Sequence, residues 1–398
     1  MRPLLSATVH AMASSLSTCL GAGLLLATFA GNVQADTGDT PWSLNGAVRA
    51  RFDYDPDRDI RKAGLDTVML GVNYEGDAWS ASARYRWYGH DYPFAYVDWG
   101  QVRFIEHAWV ARKLDADSVL KVGLHKVPFG LQPLFSSTFY ETLGNVVGLE
   151  DVNLVGATYQ HQGEGWNVQA GVYARPAWAG YGTSNGSTYS IVVTPADPGV
   201  AGGRSVRERN VLALRLAHEL PVDEGSGEVG VSLYQGALRD TVSGDAGQRS
   251  ALAVHLQRRS GNWETRALLA RQRIAVPGGG QWLSFGGYDG TFNVASHGTL
   301  SMLDLSYHVP GQWLGGWVHS VRPYASYSRF DKSAPGFHDS ERFFIGSSVS
   351  VRSVYVALEW MHGKNDPYLG GSSYTQSLAA GGINHWKSQL YMNVGYYF

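Results

Sequence analysis

The chain has 398 residues, with 32 Lys or Arg against 34 Asp or Glu and a formal net charge of -2, a balance that argues against a globally basic nucleic-acid binder. Charged residues make up only 17 %, aromatics 12 %, and there are 49 glycines, a composition unusual for a soluble α/β enzyme. Past the N-terminal leader no stretch approaches the roughly 18 uninterrupted apolar residues of a spanning helix, and the single cysteine, Cys19, rules out a disulfide framework.

Residues 1–35 read as a cleaved secretory signal. Arg2 gives a basic start, the apolar region is densest from Leu20 to Phe29, and Val33-Gln34-Ala35 fits a small-residue cleavage site. Cys19 precedes the apolar core rather than following it, so the lipoprotein alternative is set aside. The remainder, 36–398, reads as one domain, and Asp36 to Pro41 is too short for an N-terminal plug.

From Trp42 onward the sequence alternates with a period of two, the signature of strands with two unlike faces. In the first strand, Trp42, Leu44, Val48, Ala50, Phe52 and Tyr54 share one face; Asn45, Arg49, Arg51 and Asp53 share the other. Asp66–Tyr74 returns with Val68, Leu70, Val72 and Tyr74 outward, and Trp79–Tyr88 sets Trp79, Ala81, Ala83, Tyr85 and Trp87 against Ser80, Ser82, Arg84, Arg86 and Tyr88. Further strands are predicted at about 100–113, 117–126, 152–162, 166–175, 207–219, 228–239, 249–259, 263–273, 298–309, 318–330, 340–350, 354–362 and 384–398, sixteen in all. The fourth defeats simple parity: Phe104-Ile105-Glu106-His107-Ala108-Trp109-Val110 has no clean alternation. Connections alternate short (near Gly76, Ala116, Gly163, Gly225, Gly261, Gly315 and Arg352) and longer (notably 127–151, 176–206, 274–297 and 363–383). That asymmetry belongs to an all-β, up-and-down antiparallel transmembrane β-barrel with short periplasmic turns and long extracellular loops. Trp79, Trp166 and Trp263 each follow a short turn, and Trp42 and Trp317 hold equivalent places, as a periplasmic aromatic girdle would.

The last strand alternates without a break. Leu390, Met392, Val394, Tyr396 and Phe398 fall on one face, with Tyr396 and the terminal Phe398 resembling the insertion signal that barrel assembly machinery reads.

Arg on the lipid face of a barrel is costly, so Arg49, Arg51, Arg84, Arg86, Lys121, His125, Arg215, Arg249 and Arg266 are assigned to the lumen, where basic rings favour anions. A competing reading pairs them with Asp53, Glu264, Asp304 and Glu359 across the lumen, where they merely keep the wall wet. Connection 127–151 is too apolar for a solvent loop, and a barrel interior is the place available to bury it. Pro128, Phe129, Gly130, Phe135, Tyr140 and Glu141 are its candidate constriction residues, with burial at a subunit interface as the alternative.

The run Leu120-Lys121-Val122-Gly123-Leu124-His125-Lys126-Val127-Pro128-Phe129-Gly130-Leu131 resembles the strand-and-turn motif of the phosphate-selective porin O and P family, and Ala108–Leu114 resembles the strand before it. The resemblance implies a homotrimer of water-filled channels, an inward-folded third extracellular loop, and Lys126 as the basic residue before Pro-Phe-Gly. The chain departs from that family after Lys126, where the loop's charges are the acids Glu141, Glu150 and Asp151.

No His-Glu-x-x-His, Gly-x-Ser-x-Gly or P-loop motif is found, and neither enzyme chemistry, metal nor cofactor is expected. The expected function is an outer-membrane porin for passive diffusion of small hydrophilic solutes with mild anion preference, phosphate among them. A sugar or organic-acid channel is the alternative, ahead of an adhesin or hydrolase. Expected partners are membrane lipid and lipopolysaccharide, with no nucleic acid.

Overall fold

The computed structural model describes residues 40–88, 98–222, 224–288, 290–369 and 373–398. The expected signal peptide lies outside the described residues. The first seven strands are β1 (Trp42–Asp55), β2 (Ile60–Glu75), β3 (Trp79–Tyr88), β4 (Val102–Lys113), β5 (Ser118–Lys126), β6 (Asn153–Gly163) and β7 (Trp166–Pro176). After the two-residue β8 (Val192–Val193) come β9 (Val206–Leu220), β10 (Gly225–Asp240), β11 (Ala246–Ser260) and β12 (Trp263–Ala275). The short β13 (Trp282–Gly287) and β14 (Gly290–Ala295) precede β15 (His297–Tyr307), β16 (Val318–Lys332), β17 (Ser340–Val351), β18 (Val354–Lys364) and β19 (Lys387–Tyr397).

Sixteen of these close into one antiparallel barrel in which each strand pairs with the barrel strands before and after it. β1 closes on β19 from Ala47↔Tyr397 to Tyr54↔Leu390, and Gly46 and Phe398 exchange both backbone hydrogen bonds at 2.9 and 3.1 Å. Closure leaves no open sheet edge, the condition for a β-structure to sit in hydrocarbon. The sixteen predicted strands coincide with the barrel strands to within a few residues at most ends. The exception is β2, which starts six residues earlier than predicted because Ile60–Leu65 continues the ladder past a bulge at Arg49/Ala50.

The outer face is apolar and uncovered: Leu44, Leu70, Val172, Leu212, Leu252 and Leu303 are each more than half exposed. Trp42, Trp79, Trp166, Trp263 and Trp317 all lie at the short-turn end, each about half exposed. The missing parity of β4 has a physical cause. A bulge skips Glu106 in the pairing with β3, where Arg84↔His107 is followed by Tyr85↔Ile105. Glu106 and His107 therefore both point inward, towards Arg86 and Ser82 respectively, and the alternation changes phase there.

Two features were not predicted. Loops 177–205 and 276–296 carry β8, β13 and β14, which form a separate three-stranded sheet over the long-loop end. The apolar core lies inside the barrel rather than between layers. Val127, Phe129, Leu131, Phe135, Leu143, Val146 and Leu149 pack with Tyr234, Ala251, Ala253, Leu268 and Ala270 of the inner wall, and with Phe285 and Phe292 of the small sheet. On the inner wall of β10–β12, Ala251, Ala253, Leu268, Ala270 and Ile274 are apolar where an empty pore would need polar groups.

Gly123 lies where β4 and β5 approach most tightly. Its φ is +129°, and a Cβ there would come 2.3 Å from the Ala108 carbonyl oxygen, which is backbone and cannot yield. Gly123→Val is expected to destabilise the barrel by more than about 1 kcal/mol. The check is the temperature at which the folded band converts to the unfolded one on a detergent gel; an unchanged temperature would show that the strands adjust.

Candidate functional site: the lumen and its loop

Residues 127–152 leave β5 and contact the inner wall on the far side of the barrel. Only Leu143–Val146 is helical, capped by Thr142, whose hydroxyl accepts from the Gly144 N–H. Irregular backbone inside a barrel must find its hydrogen-bond partners in the wall or in its own side chains. Its carbonyls are met by cations: Lys126 reaches Pro133 (2.7 Å), Arg215 reaches Gly130 (2.8 Å), Arg266 reaches Ser136 (2.8 Å) and Arg322 reaches Ser137 (3.4 Å). Arg342 donates to the carbonyls of Glu141 and Thr142 at 3.1 and 3.2 Å, and Arg249 to those of Val147 and Gly148 at 3.2 and 2.6 Å. Its amides are met by oxygens. Asp304 accepts from Ser137 N–H (3.1 Å) and Glu359 from Phe139 and Tyr140 N–H (2.6 and 3.1 Å). Ser232 and Ser328 accept from Gly130 and Leu143 N–H at 3.0 and 3.1 Å. Within the loop, buried Glu150 accepts from Phe135 N–H (2.7 Å), Thr142 N–H (3.2 Å) and the Thr142 hydroxyl (2.6 Å).

The loop fills one side of the lumen. The other side is a cavity of about 1080 Å³ that touches Arg58 and Tyr374 at the long-loop end and Arg352 and Ser353 at the short-turn end, so it runs the length of the barrel. Eight arginines border it (Arg49, Arg51, Arg58, Arg86, Arg266, Arg322, Arg342 and Arg352), against three acids, Asp66, Glu141 and Asp151. Nine tyrosines and Phe139 also line it. Arg49 and Arg322 each keep a buried Nε without a hydrogen-bond partner.

The sequence-assigned residues separate into two groups. Arg49, Arg51, Arg86, Arg266, Tyr140 and Glu141 border the cavity. Arg51 is paired with Asp53 at 2.7 Å and Asp66 at 3.6 Å, Arg86 with Glu106, and Arg266 with Glu264 at 2.7 Å. Arg84 reaches Asn45 (3.0 Å) and Glu106 (3.4 Å), and Lys121 stacks 4.2 Å over Trp109. The rest are not pore-lining but structural. His125 is buried against Thr158 (2.8 Å) and the Tyr173 ring. Lys126 is held by Asp151 and the Pro133 carbonyl. Arg215 is clamped among Gly130, Asn167, Glu228 and His255. Arg249 is fully buried, between Glu208 (3.4 Å) and Gln272. Pro128, Phe129, Gly130 and Phe135 lie in the core beneath the loop, away from the cavity. The wall acids divide similarly: Asp53 and Glu264 pair with arginines two residues along their own strands rather than across the lumen, whereas Asp304 and Glu359 take loop amides.

Sequence reasoning missed Arg58, Arg322, Arg342 and Arg352. Arg342 had a signal, alternation with outward Phe343 and Ile345, but Phe344 on its own inward face obscured it. Arg352 sits in a tight turn at φ +52°, where strand parity says nothing.

Glu141 and Asp151 bracket the capped segment with φ of +66° and +54°, each costing about 1–3 kcal/mol outside glycine. Burial pushes the Glu141 carboxyl well above its ordinary value, and the neighbouring Asp151 and Glu150 add to the rise. Burial also raises Glu150, against the pull of its hydrogen bonds from Thr142 and Phe135.

No family model matches the chain and no curated protein sequence matches it. Solved structures do. The outer-membrane channel DcaP of Acinetobacter baumannii is 13% identical with a TM-score of 0.59, over 90% of this chain and 97% of that one. OprB of Pseudomonas putida is 10% identical with a TM-score of 0.55, over 92% and 97%. The anion-selective porin of Comamonas acidovorans is 12% identical with a TM-score of 0.52, over 90% and 100%. The fold is that of the sixteen-stranded outer-membrane porins.

Two outcomes follow from the loop's anchoring. Arg249→Ala strands Glu208 in the core and should cost about 3–5 kcal/mol in urea unfolding from lipid vesicles; adding Glu208→Ala should recover part of that loss. Glu141, with its folded-state value raised, contributes stability at low pH and loses it as pH rises through the elevated value, above the ordinary 4.5. Ionisation also places a negative charge in the lumen, so the anion-to-cation permeability ratio should fall as pH rises through that range. Glu141→Gln should flatten this dependence; an unaltered pH profile would assign it to another group.

Proposed function

We propose that the chain is an outer-membrane porin through which small hydrophilic solutes diffuse down their gradients, with a preference for anions. The observation that carries the reading is the cavity running the barrel's length with eight arginines against three acids on its wall. Cationic linings lower the entry cost of anions. The Comamonas acidovorans relative in fold is itself described as anion-selective. A homotrimer fits the trimer form described for OmpT of Vibrio cholerae. Lipid, lipopolysaccharide and, through Tyr396 and Phe398, the barrel assembly machinery are the further partners of this reading.

Phosphate draws less support than the resemblance to phosphate-selective porins implied, because Lys126 is already occupied by Asp151 and the Pro133 carbonyl. The nine tyrosines and Phe139 favour a second reading within the same class, organic anions whose flat apolar parts lie against rings while a carboxylate meets arginine.

The test is the reversal potential of the refolded chain in a planar bilayer under a KCl gradient. An anion-selective current is expected. One lumen charge about 10 Å from the ion is worth ~0.4 kcal/mol in water, so Arg322→Gln should lower the permeability ratio about twofold. Block by micromolar phosphate would favour phosphate, and block by an aromatic carboxylate the organic-anion reading. A cation-selective current, or none, would overturn the proposal.

A further inference from the structure

We propose that the outside of the barrel, at the long-loop ends of β7, β9, β10 and β12, binds the phosphate groups of an outer-leaflet lipid. The proposal rests on the outer-membrane reading but not on conduction. Arg175, Arg207, Arg209, Arg239, Arg271 and Arg273 are all exposed there. They point away from the lumen, since the intervening Glu208, Leu238 and Gln272 are buried inward. Arg207 and Arg239 are direct cross-strand partners, Arg207 and Arg209 share one strand face, and so do Arg271 and Arg273. Like charges opposed across a ladder are destabilising, so the cluster is costly unless an anion joins it.

Among the described residues, Arg207, Arg209, Arg239, Arg271 and Arg273 have no ion-pair partner. Three carboxylates close by in sequence have other partners. Asp240 accepts from Val242 and Ser243 N–H at 2.8 and 3.2 Å, Asp245 from the Ser243 hydroxyl at 2.8 Å, and Glu208 faces Arg249 inside the barrel. The opposite side of the same rim is built differently. There Arg329 pairs with Asp339 (2.6 Å), Lys364 with Glu341 (2.6 Å) and Lys387 with Asp57 (3.2 Å). The rim cations of that side are thus held by carboxylates, in contrast to the arginine cluster.

The apolar surface beside the arginines selects the kind of anion. Leu212, Leu233, Leu252 and Leu269 are exposed on β9–β12 next to the cluster, with Leu233 opposite Leu252 and Leu252 opposite Arg271. Arginines above a leucine belt suit an amphiphile whose phosphates sit at the rim and whose acyl chains lie along the barrel. Basic side chains at an anionic lipid surface contribute about 1 kcal/mol each. Between the ends of β7 and β9 lies a crevice of about 120 Å³, bordered by Arg175, Arg207 and Arg209 and by Glu208, whose carboxylate pairs with Arg249.

The experiment titrates the refolded full chain in nanodiscs with lipid A carrying both phosphates, and with dephosphorylated lipid A. The phosphorylated lipid is expected to bind at least about tenfold more tightly. Replacing Arg207, Arg239, Arg271 and Arg273 together by Gln should erase that difference while conductance and heat-resistance on gels stay unchanged; the corresponding Lys variant should keep most of it. Equal binding by the Gln variant would overturn the proposal, as would displacement of the lipid by micromolar inorganic phosphate, which would mark a free-phosphate site. A change in oligomeric state with lipid binding unaltered would also overturn it, by assigning the arginines to a second copy of the chain. Absence of conductance in the unsubstituted protein bears on the porin reading alone and leaves the lipid titration intact.

Discussion

Irregular backbone can occupy the inside of a barrel only if its peptide groups find partners there, and the architecture of this lumen follows from how that requirement is met. The segment 127–152 brings carbonyls and amides into a space closed to most water. Arg215, Arg249, Arg266, Arg322 and Arg342 supply donors at its carbonyls, and Asp304, Glu359, Ser232 and Ser328 supply acceptors at its amides. Hydrogen bonds to ionised groups are stronger than neutral ones, and they come from several strands around the ring, so the loop is held at many points.

The same bonds decide which charges are left for a solute. An arginine whose guanidinium is filled by loop carbonyls and a buried carboxylate, as Arg249 is, adds nothing to the field in the open cavity. Arg49 and Arg322, which border the cavity, do add to it. Placing the loop against β10–β12 also moves the free passage to the side of β1, β3 and β16–β19, where Tyr355, Tyr391 and Tyr397 give it a ring-lined wall. Packing and electrostatics are therefore not separable here: the apolar side chains of the loop choose the side it leans on, and that choice leaves an arginine- and tyrosine-rich half open.

The outer surface obeys a different rule. Against hydrocarbon the strands need apolar side chains and closed ladders, and the leucine and valine belt with tryptophans at the short-turn end meets it. Above that belt the surface is no longer constrained by lipid tails, and its charge is uneven: Arg329, Lys364 and Lys387 meet acids, whereas arginines gather at the ends of β9, β10 and β12.

What the sequence determined by itself was everything that depends on neighbours along one strand. A period of two sorts residues to two faces without reference to the rest of the molecule, so the sixteen strands, their short and long connections and the turn-end tryptophans were legible. The inward face of Arg49, Arg51 and Arg86 was legible for the same reason. The tertiary structure alone decided the role of each inward residue, because facing inward does not say whether a side chain meets water or loop backbone. Arg215 and Arg249 obey the same alternation as Arg51, yet they donate to loop carbonyls, whereas Arg51 is paired with Asp53 and Asp66 of the wall. The bulge at Glu106, the sheet joining loops 177–205 and 276–296, and the tyrosines gathered from both ends of the chain are likewise set by contacts between segments remote in sequence, which no local pattern records.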